Sequence, residues 1–219
     1  MLKRKFASRL NRYVIAPWLQ RGMRIDQVIS LKDLGLDPLD AHEHAPTNDY
    51  LELWCVLHAL KVKGKSIVDL GCGSGAAICL FSKMSFGKIW GVELNPRLAR
   101  TASDNFLKDP RVVIECTDAR QFKHQVDMIY LFNPFPWPVL EEALQNLIGH
   151  GRELTLIYRN PKFADNIQNA PHWACTAQAY LDSSTSRYFI ATLSHHATAS
   201  EESPMPINQR AAGASTTAP

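Results

Sequence analysis

The residues best suited to chemistry lie in one short stretch, where Asp69 is followed by glycines at positions 71, 73 and 75. Glycine permits positive φ angles and lets the backbone approach a ligand that a Cβ would exclude. Apolar residues precede Asp69, and residues 76–84 carry apolar side chains at helical spacing. A strand, a glycine turn and a helix in this order predict the first unit of a nucleotide-binding α/β fold, with its ligand at the carboxyl end of the strand.

Two ligands are compatible with this turn. Gly71, Gly73 and Ala76 satisfy a dinucleotide-binding pattern, and Glu93 lies near the distance at which such folds place a ribose-binding acid. Asp69 favours the second ligand, because its carboxylate would repel a diphosphate but suits an ammonium group. S-adenosylmethionine offers that ammonium, together with a carboxylate for backbone N–H groups. We therefore predict S-adenosylmethionine as the cofactor and keep an NAD(P)-binding oxidoreductase as the alternative.

The spacing Asp-x-Gly-x-Gly-x-Gly resembles motif I of class I S-adenosylmethionine-dependent methyltransferases. In this family an acid that closes the second strand binds both ribose hydroxyls, which implies that role for Glu93. An acid after the third strand lies at the adenine, which implies that role for Asp118; a solvated acid and a simple turn aspartate are the alternatives. The cofactor-binding residues that we predict are Asp69, Gly71, Cys72, Gly73, Gly75, Glu93, Leu94, Asn95, Asp118 and Ala119.

A second motif follows the fourth predicted strand, at Asn133-Pro134-Phe135. It resembles the (Asp/Asn/Ser)-Pro-Pro-(Tyr/Phe) motif of amino-directed methyltransferases, although the second proline is missing. It is closer to small bacterial methyltransferases that carry Phe-Asn-Pro-Phe here and are distantly similar to Dot1-type lysine methyltransferases. The resemblance implies that Asn133, Pro134 and Phe135 are catalytic and that carbonyl oxygens at Asn133 orient an amine; Asn133 as a mere helix cap is the alternative.

The sequence identifies no base for an oxygen acceptor, no Ser-His-Asp set and no metal cluster. In particular, His42-Glu43-His44 has a spacing that is poor for a shared metal-binding face, so we predict an exposed loop there. The function that these motifs favour is methyl transfer from S-adenosylmethionine to an unidentified acceptor. A catalytically inactive domain of the same fold is a further alternative.

Strand-like runs alternate with helical patterns at regular spacing along the chain. The strands are predicted at 66–70, 88–93, 112–116, 126–132 and 153–158, with a hairpin formed by 174–181 and 186–193. This order predicts an α/β, Rossmann-like class I methyltransferase fold with a mainly parallel seven-stranded sheet, helices on both faces and an antiparallel edge hairpin. We place the cofactor-binding domain at residues 47–194, beginning with a helix over 47–60.

The two ends of the chain differ from this domain in composition. Residues 1–25 contain seven Lys or Arg and no acid, and residues 1–46 are predicted to form a basic helix and a connector. The helix could pack on the domain, lie on an anionic membrane or acidic partner, or act as a targeting segment. Residues 195–219 are rich in Ser, Thr, Ala and Pro and are predicted to be a disordered tail.

Composition limits the remaining possibilities. With 219 residues, 46% of them hydrophobic, the chain can bury one sizeable core, and its net charge of +3 is too small to imply a nucleic-acid partner. No apolar run is long enough to span a membrane. Five cysteines without a C-x-x-C pair indicate reduced thiols and a cytoplasmic location.

Overall fold

The computed structural model describes residues 8–25, 28–42, 45–47, 49–149, 153–182 and 186–195. Within them, seven strands form one sheet in the order β3-β2-β1-β4-β5-β7-β6. The strands are β1 (Ser66–Leu70), β2 (Lys88–Glu93), β3 (Val112–Cys116), β4 (Met128–Leu131), β5 (Leu154–Arg159), β6 (Ala174–Asp182) and β7 (Arg187–Ser194).

The first five strands are parallel to one another, whereas β7 is antiparallel to both β5 and β6. The predicted fold class, with its parallel sheet and antiparallel edge hairpin, is confirmed. The turn of the hairpin, at 183–185, lies outside the described residues.

Helices cover both faces of the sheet. They are α1 (Ala16–Leu19), α2 (Leu31–Leu34), α3 (Tyr50–Ala59), α4 (Ala76–Phe81), α5 (Pro96–Phe106), α6 (Trp137–Ile148) and α7 (Ala164–Asn169), with a π-helical turn at Asn11–Ile15 and a 3-10 helix at Ala119–Gln121.

Alternation along the strands divides the buried side chains into two layers. On β4, Met128 and Tyr130 pack in the cluster that contains buried residues of α3, α4 and α5. Ile129 and Leu131 pack in the cluster that contains α6 and α7. Because successive strand side chains point to opposite faces, both faces of the parallel strands are buried. No helix in the described part of the chain is long and apolar enough to cross a membrane.

One predicted helix boundary is wrong. Helix α3 begins at Tyr50, three residues after the predicted start at Thr47, and no side chain caps it. The Thr47 hydroxyl lies 3.1 Å from the hydroxyl of Tyr130, on the neighbouring strand β4. The Thr47 hydroxyl is therefore used in a contact between residues 83 positions apart.

The N-terminal segment packs on the domain through α3. Asn11 donates from Nδ2 to Glu52 at 2.7 Å and accepts from the Leu51 N–H at 2.9 Å. The helix continues through Pro17 to Leu19. A π-helical turn precedes the proline, and Ala16 N–H there donates to the Asn11 carbonyl. The predicted tail lies, apart from His195, outside the described residues.

Candidate active site

A cavity of about 60 Å³ lies at the carboxyl ends of β1, β2 and β4. Strand β1 is flanked by β2 on one side and β4 on the other, so the chain order reverses at this point of the sheet. Open α/β sheets bind their ligands at such a reversal. Of the predicted site residues, the cavity is lined by Asp69, Gly71, Cys72, Glu93, Leu94, Pro134 and Phe135.

The glycine turn after β1 has the backbone that only glycine adopts readily. The φ angles of Gly71, Gly73 and Gly75 are 76°, 56° and 90°. A Cβ on Gly71 would overlap the ring of Pro134, the residue that follows Asn133 in the second motif. The first glycine is therefore required both by its φ angle and by the close approach of the two motifs.

Glu93 links the turn to the end of β2. Its side chain is 7% exposed, and its two oxygens accept from the N–H groups of Gly73 at 2.8 Å and Asn95 at 2.9 Å. Burial raises the pKa of Glu93, and these backbone hydrogen bonds oppose the rise. Each carboxylate oxygen can accept a further hydrogen bond, so Glu93 still has the capacity to bind two ribose hydroxyls.

Asp69 and Glu93 together give the site its electrostatic character. Asp69 is 4% exposed, and burial, with the charge of Glu93 as the second cause, raises its pKa to about 8. None of the ion pairs found in the described part of the chain includes either carboxylate. Two buried acids without a cation are unfavourable, and a cationic ligand would relieve that cost. The ammonium group of S-adenosylmethionine fits this requirement.

Asp118 and Ala119 lie farther from the cavity. Asp118 accepts from the Arg120 N–H at 2.9 Å, and both its oxygens accept from the Arg120 guanidinium. This pairing lowers the pKa of Asp118. Arg120 in turn reaches Asp40 at 3.1 Å. Neither Asp118 nor Ala119 lines the cavity, and their contact with adenine stays a prediction.

The Asn133 side chain is engaged by the loop after β5. Its Nδ2 donates to the Asn160 carbonyl at 2.6 Å, and its Oδ1 accepts from the Tyr158 hydroxyl at 2.6 Å. Asn133 has a φ of 46°, a left-handed conformation that asparagine tolerates better than most residues. Pro134 and Phe135 line the cavity, whereas Asn133 does not. Its role at the acceptor stays a prediction.

The connector supplies a wall of the cavity that the sequence did not predict. His42 donates from its backbone N–H to the Pro134 carbonyl at 2.9 Å, and its Nδ1 lies 2.9 Å from the Asn133 carbonyl. The prediction of an exposed loop is wrong for His42, which is half-buried; Glu43 and His44 lie outside the described residues. Its partners are about 90 positions away, so no local pattern could have indicated the contact. The connector residues at the cavity are Leu34, Leu36, Ala41, His42, Ala45 and Pro46, and Thr47 follows them.

A buried ion pair lies behind this wall, between Asp49 and Arg159. Asp49 Oδ2 is 3.0 Å from the Arg159 guanidinium and accepts from the Tyr188 hydroxyl at 2.6 Å. The guanidinium also lies 3.9 Å from the ring centroid of Phe132, a cavity residue. The ion pair and the hydrogen bond thus join Asp49 to β5 and β7, and the cation–π contact joins Phe132, after β4, to β5.

The comparisons with known proteins agree with this geometry. A family model described as a methyltransferase domain matches residues 67–152. Ribosomal protein L11 methyltransferase from Aliivibrio fischeri strain MJ11 is 33% identical over 60 residues, which are 27% of this chain. The match spans about a fifth, 20%, of that relative's length.

Two solved structures are similar in fold. A candidate RNA methyltransferase of Pyrococcus horikoshii has a TM-score of 0.57 at 14% identity, covering 84% of this chain and 98% of its own. A mutant of MtNAS in complex with S-adenosylmethionine has a TM-score of 0.54 at 17% identity, covering 67% of this chain and 62% of its own. Residues 67–152 thus match a methyltransferase domain, and the solved structures share the fold of the chain.

Proposed function

We propose that this protein transfers the methyl group of S-adenosylmethionine to an acceptor that enters the cavity beside Pro134 and Phe135. The observation that carries the proposal is the pair of buried carboxylates, Asp69 and Glu93, on one cavity with the glycine turn. An acidic pocket that no described Lys or Arg lines suits an ammonium ligand and opposes a dinucleotide diphosphate.

The residues of the chain would act chiefly by holding the cofactor and the acceptor in the geometry that the reaction needs. Asp69 would bind the ammonium of the cofactor and Glu93 its ribose hydroxyls, while Asp118 and Ala119 would contact the adenine. The cofactor supplies an activated methyl on a sulfonium, and the chemical step is an in-line displacement that depends on the distance and angle of the acceptor. Phe135, buried at the cavity wall, would exclude water beside the methyl.

The class of acceptor is a separate part of the proposal. The relatives named above act on a ribosomal protein or are named for RNA. The second motif resembles that of amino-directed enzymes, which favours an amine nitrogen. In that case, carbonyl oxygens at Asn133 would orient the amine and stabilise the developing positive charge.

Cofactor binding tests the first half of the proposal. Calorimetry with S-adenosylhomocysteine and with NADH should show binding of the first and not of the second. Gly73→Val should lose this binding while remaining folded, because a branched side chain is strained at a φ of 56° and fills space at the turn. Binding of NADH in preference to S-adenosylhomocysteine would support the oxidoreductase alternative.

Methyl transfer tests the second half. Methyl-labelled S-adenosylmethionine is incubated with the protein and a fractionated cell lysate, with Gly73→Val as the control. Label in one fraction with the wild-type chain, and not with the variant, is the expected result. Tight cofactor binding without any transfer would support an inactive domain that keeps the fold.

A further inference from the structure

The backbone carbonyls that an amine acceptor would need already have donors. The Asn133 carbonyl lies 2.9 Å from His42 Nδ1, and the Pro134 carbonyl accepts from the His42 N–H at 2.9 Å. The Asn133 side-chain oxygen accepts from the Tyr158 hydroxyl. Each of the three oxygens keeps a further lone pair, but an incoming amine would have to share the oxygen with the donor already there.

The contact with Asn133 also determines the tautomer of His42. A backbone carbonyl can only accept, so a neutral imidazole bonded to it must carry its proton on Nδ1. Its Nε2 then carries the lone pair, which is the form of histidine that accepts protons in catalysis. Within the described residues Nε2 has no hydrogen-bond partner.

The Nδ1 contact holds the ring beside the loop after β4. His42 lines the cavity together with Pro134 and Phe135. The other histidines with described contacts lie elsewhere: His58 stacks on Trp54, His124 contacts Glu115 and His172 faces Glu141. Of the other ionisable groups at the cavity, Asp69 and Glu93 are assigned to the cofactor, and burial raises the pKa values of Cys72 and Tyr130 far from the neutral range.

We infer that His42 is the general base of the reaction and that the acceptor is a hydroxyl group, which must lose its proton during transfer. This inference rests on the proposed methyl transfer, but it replaces the amine acceptor that the second motif favours by a hydroxyl. As the oxygen lone pair forms the new C–O bond, the S–CH₃ bond breaks with its electrons going to sulfur. The hydroxyl proton moves to Nε2 of His42, so no further reactant is needed.

The tautomer can be measured without knowing the acceptor. Long-range ¹H–¹⁵N correlation spectra of the labelled chain report the protonation of each imidazole nitrogen, and His42→Asn assigns the His42 signals by their loss. The expected result is a neutral ring protonated on Nδ1 with a bare Nε2. A ring protonated on Nε2 would overturn the inference, whatever the outcome of the cofactor-binding assays.

A methyl-transfer assay then shows whether His42 acts as a general base or only holds the connector to the loop after β4. His42→Asn keeps an amide N–H close to the position of Nδ1, so it can still donate to the Asn133 carbonyl, but it has no base. We expect methyl incorporation to fall by roughly 100-fold or more, the usual contribution of general base catalysis. The affinity for S-adenosylhomocysteine should stay within about threefold, since His42 contacts the acceptor end.

His58→Asn is the matched control, because it makes the same change on α3, away from the cavity. It should leave incorporation unchanged. Full activity of His42→Asn would show that His42 only holds the connector and would overturn the inference. Absence of incorporation by the wild-type chain would instead count against the proposed function. The NMR measurement of the tautomer would still test the inference about His42.

Discussion

At the scale of single residues, we expect Asp69 to lower the stability of the free protein and to strengthen the binding of a cationic ligand. Its folded pKa of about 8 lies above the ordinary value of 3.8. Between these values the folded state holds a proton that the unfolded state has lost, so stability falls as pH rises from about 4 to 8. The cofactor's ammonium should reverse this effect by favouring the ionised carboxylate.

Asp69→Asn should therefore stabilise the free protein and weaken its binding of the cofactor. We expect a melting temperature higher by about 5 °C at pH 8, because the buried charge is removed. The affinity for S-adenosylhomocysteine should fall at least about tenfold, since a charged hydrogen bond is lost. Thermal unfolding and calorimetry measure the two effects. The wild-type affinity should rise between pH 6 and pH 8, and a variant that shows the same pH dependence would contradict the role of Asp69.

Glu93→Ala tests the ribose contact. The change removes an acceptor for two hydroxyls and also for the N–H groups of Gly73 and Asn95. Calorimetry should show S-adenosylhomocysteine binding weakened by roughly 2 kcal/mol or more. Glu115→Ala is the control, because it removes a carboxylate from β3 that does not line the cavity. Equal affinities of the two variants would mean that Glu93 does not bind the ribose.

The sequence predicted that Asp69 and Glu93 lie at the carboxyl edge of the sheet, but it did not predict that His42 lies there too. The difference has a physical reason. Asp69 and Glu93 each end an apolar run, so their place at the carboxyl edge of the sheet follows from local pattern. His42 lies in a connector without periodicity, and its position depends on hydrogen bonds to Asn133 and Pro134. Contacts of this kind arise from the tertiary fold, which no local pattern in the connector encodes.

At the scale of elements, the turn after β1 and the loop after β4 form one unit. Gly71 packs so closely on Pro134 that a Cβ there has no space. The sequence predicted both segments, because each follows a short buried strand. It did not predict their contact, since the order of strands in the sheet sets which loops become neighbours.

Gly71→Ala should disrupt this unit, and Gly64→Ala separates the effect from backbone strain. Both glycines have a φ near 76°, but a Cβ on Gly64 meets nothing within 4 Å. Gly64→Ala should cost about 1 kcal/mol of unfolding free energy, the strain of the left-handed conformation alone. Gly71→Ala should cost more and also weaken cofactor binding, because Pro134 must move. Chemical denaturation and calorimetry test this, and indistinguishable variants would contradict it.

At the scale of the whole molecule, the connector crosses the carboxyl edge of the sheet and joins the loops that form the site. The Leu34 carbonyl accepts from Asn95 after β2, Asp40 pairs with Arg120 after β3, and His42 bonds to Asn133 after β4. A segment that the sequence separates from the cofactor-binding domain therefore contributes to its cavity. The helix that precedes the connector is attached to α3 through Asn11 and Leu19.

The opposite face of that helix has features that favour one of the open alternatives, a contact with an anionic surface. Tyr13 and Trp18 are 68% and 65% exposed. Arg9, Arg12 and Arg21 are exposed as well, and residues 8–25 contain no acid. Aromatic rings beside arginines are typical of helices that lie in a membrane interface, where the rings enter the headgroup layer and the cations bind lipid phosphates. Binding to nucleic acid would use the arginines but gain little from exposed Val14.

We expect the full chain to bind vesicles that contain anionic phospholipid, to bind phosphatidylcholine vesicles much less, and to dissociate as salt is raised. Replacing Arg9 and Arg12 by Gln should weaken binding in a sedimentation assay by roughly 30-fold, since each cation near such a surface contributes about 1 kcal/mol. Replacing Arg97 and Arg100 on α5 by Gln makes the same change in net charge at exposed positions elsewhere. If vesicle binding depends on where the arginines lie, only the variant with Arg9 and Arg12 replaced should lose affinity. Equal losses would show that net charge alone attracts the chain, and the helix would then be only a packed element of the domain.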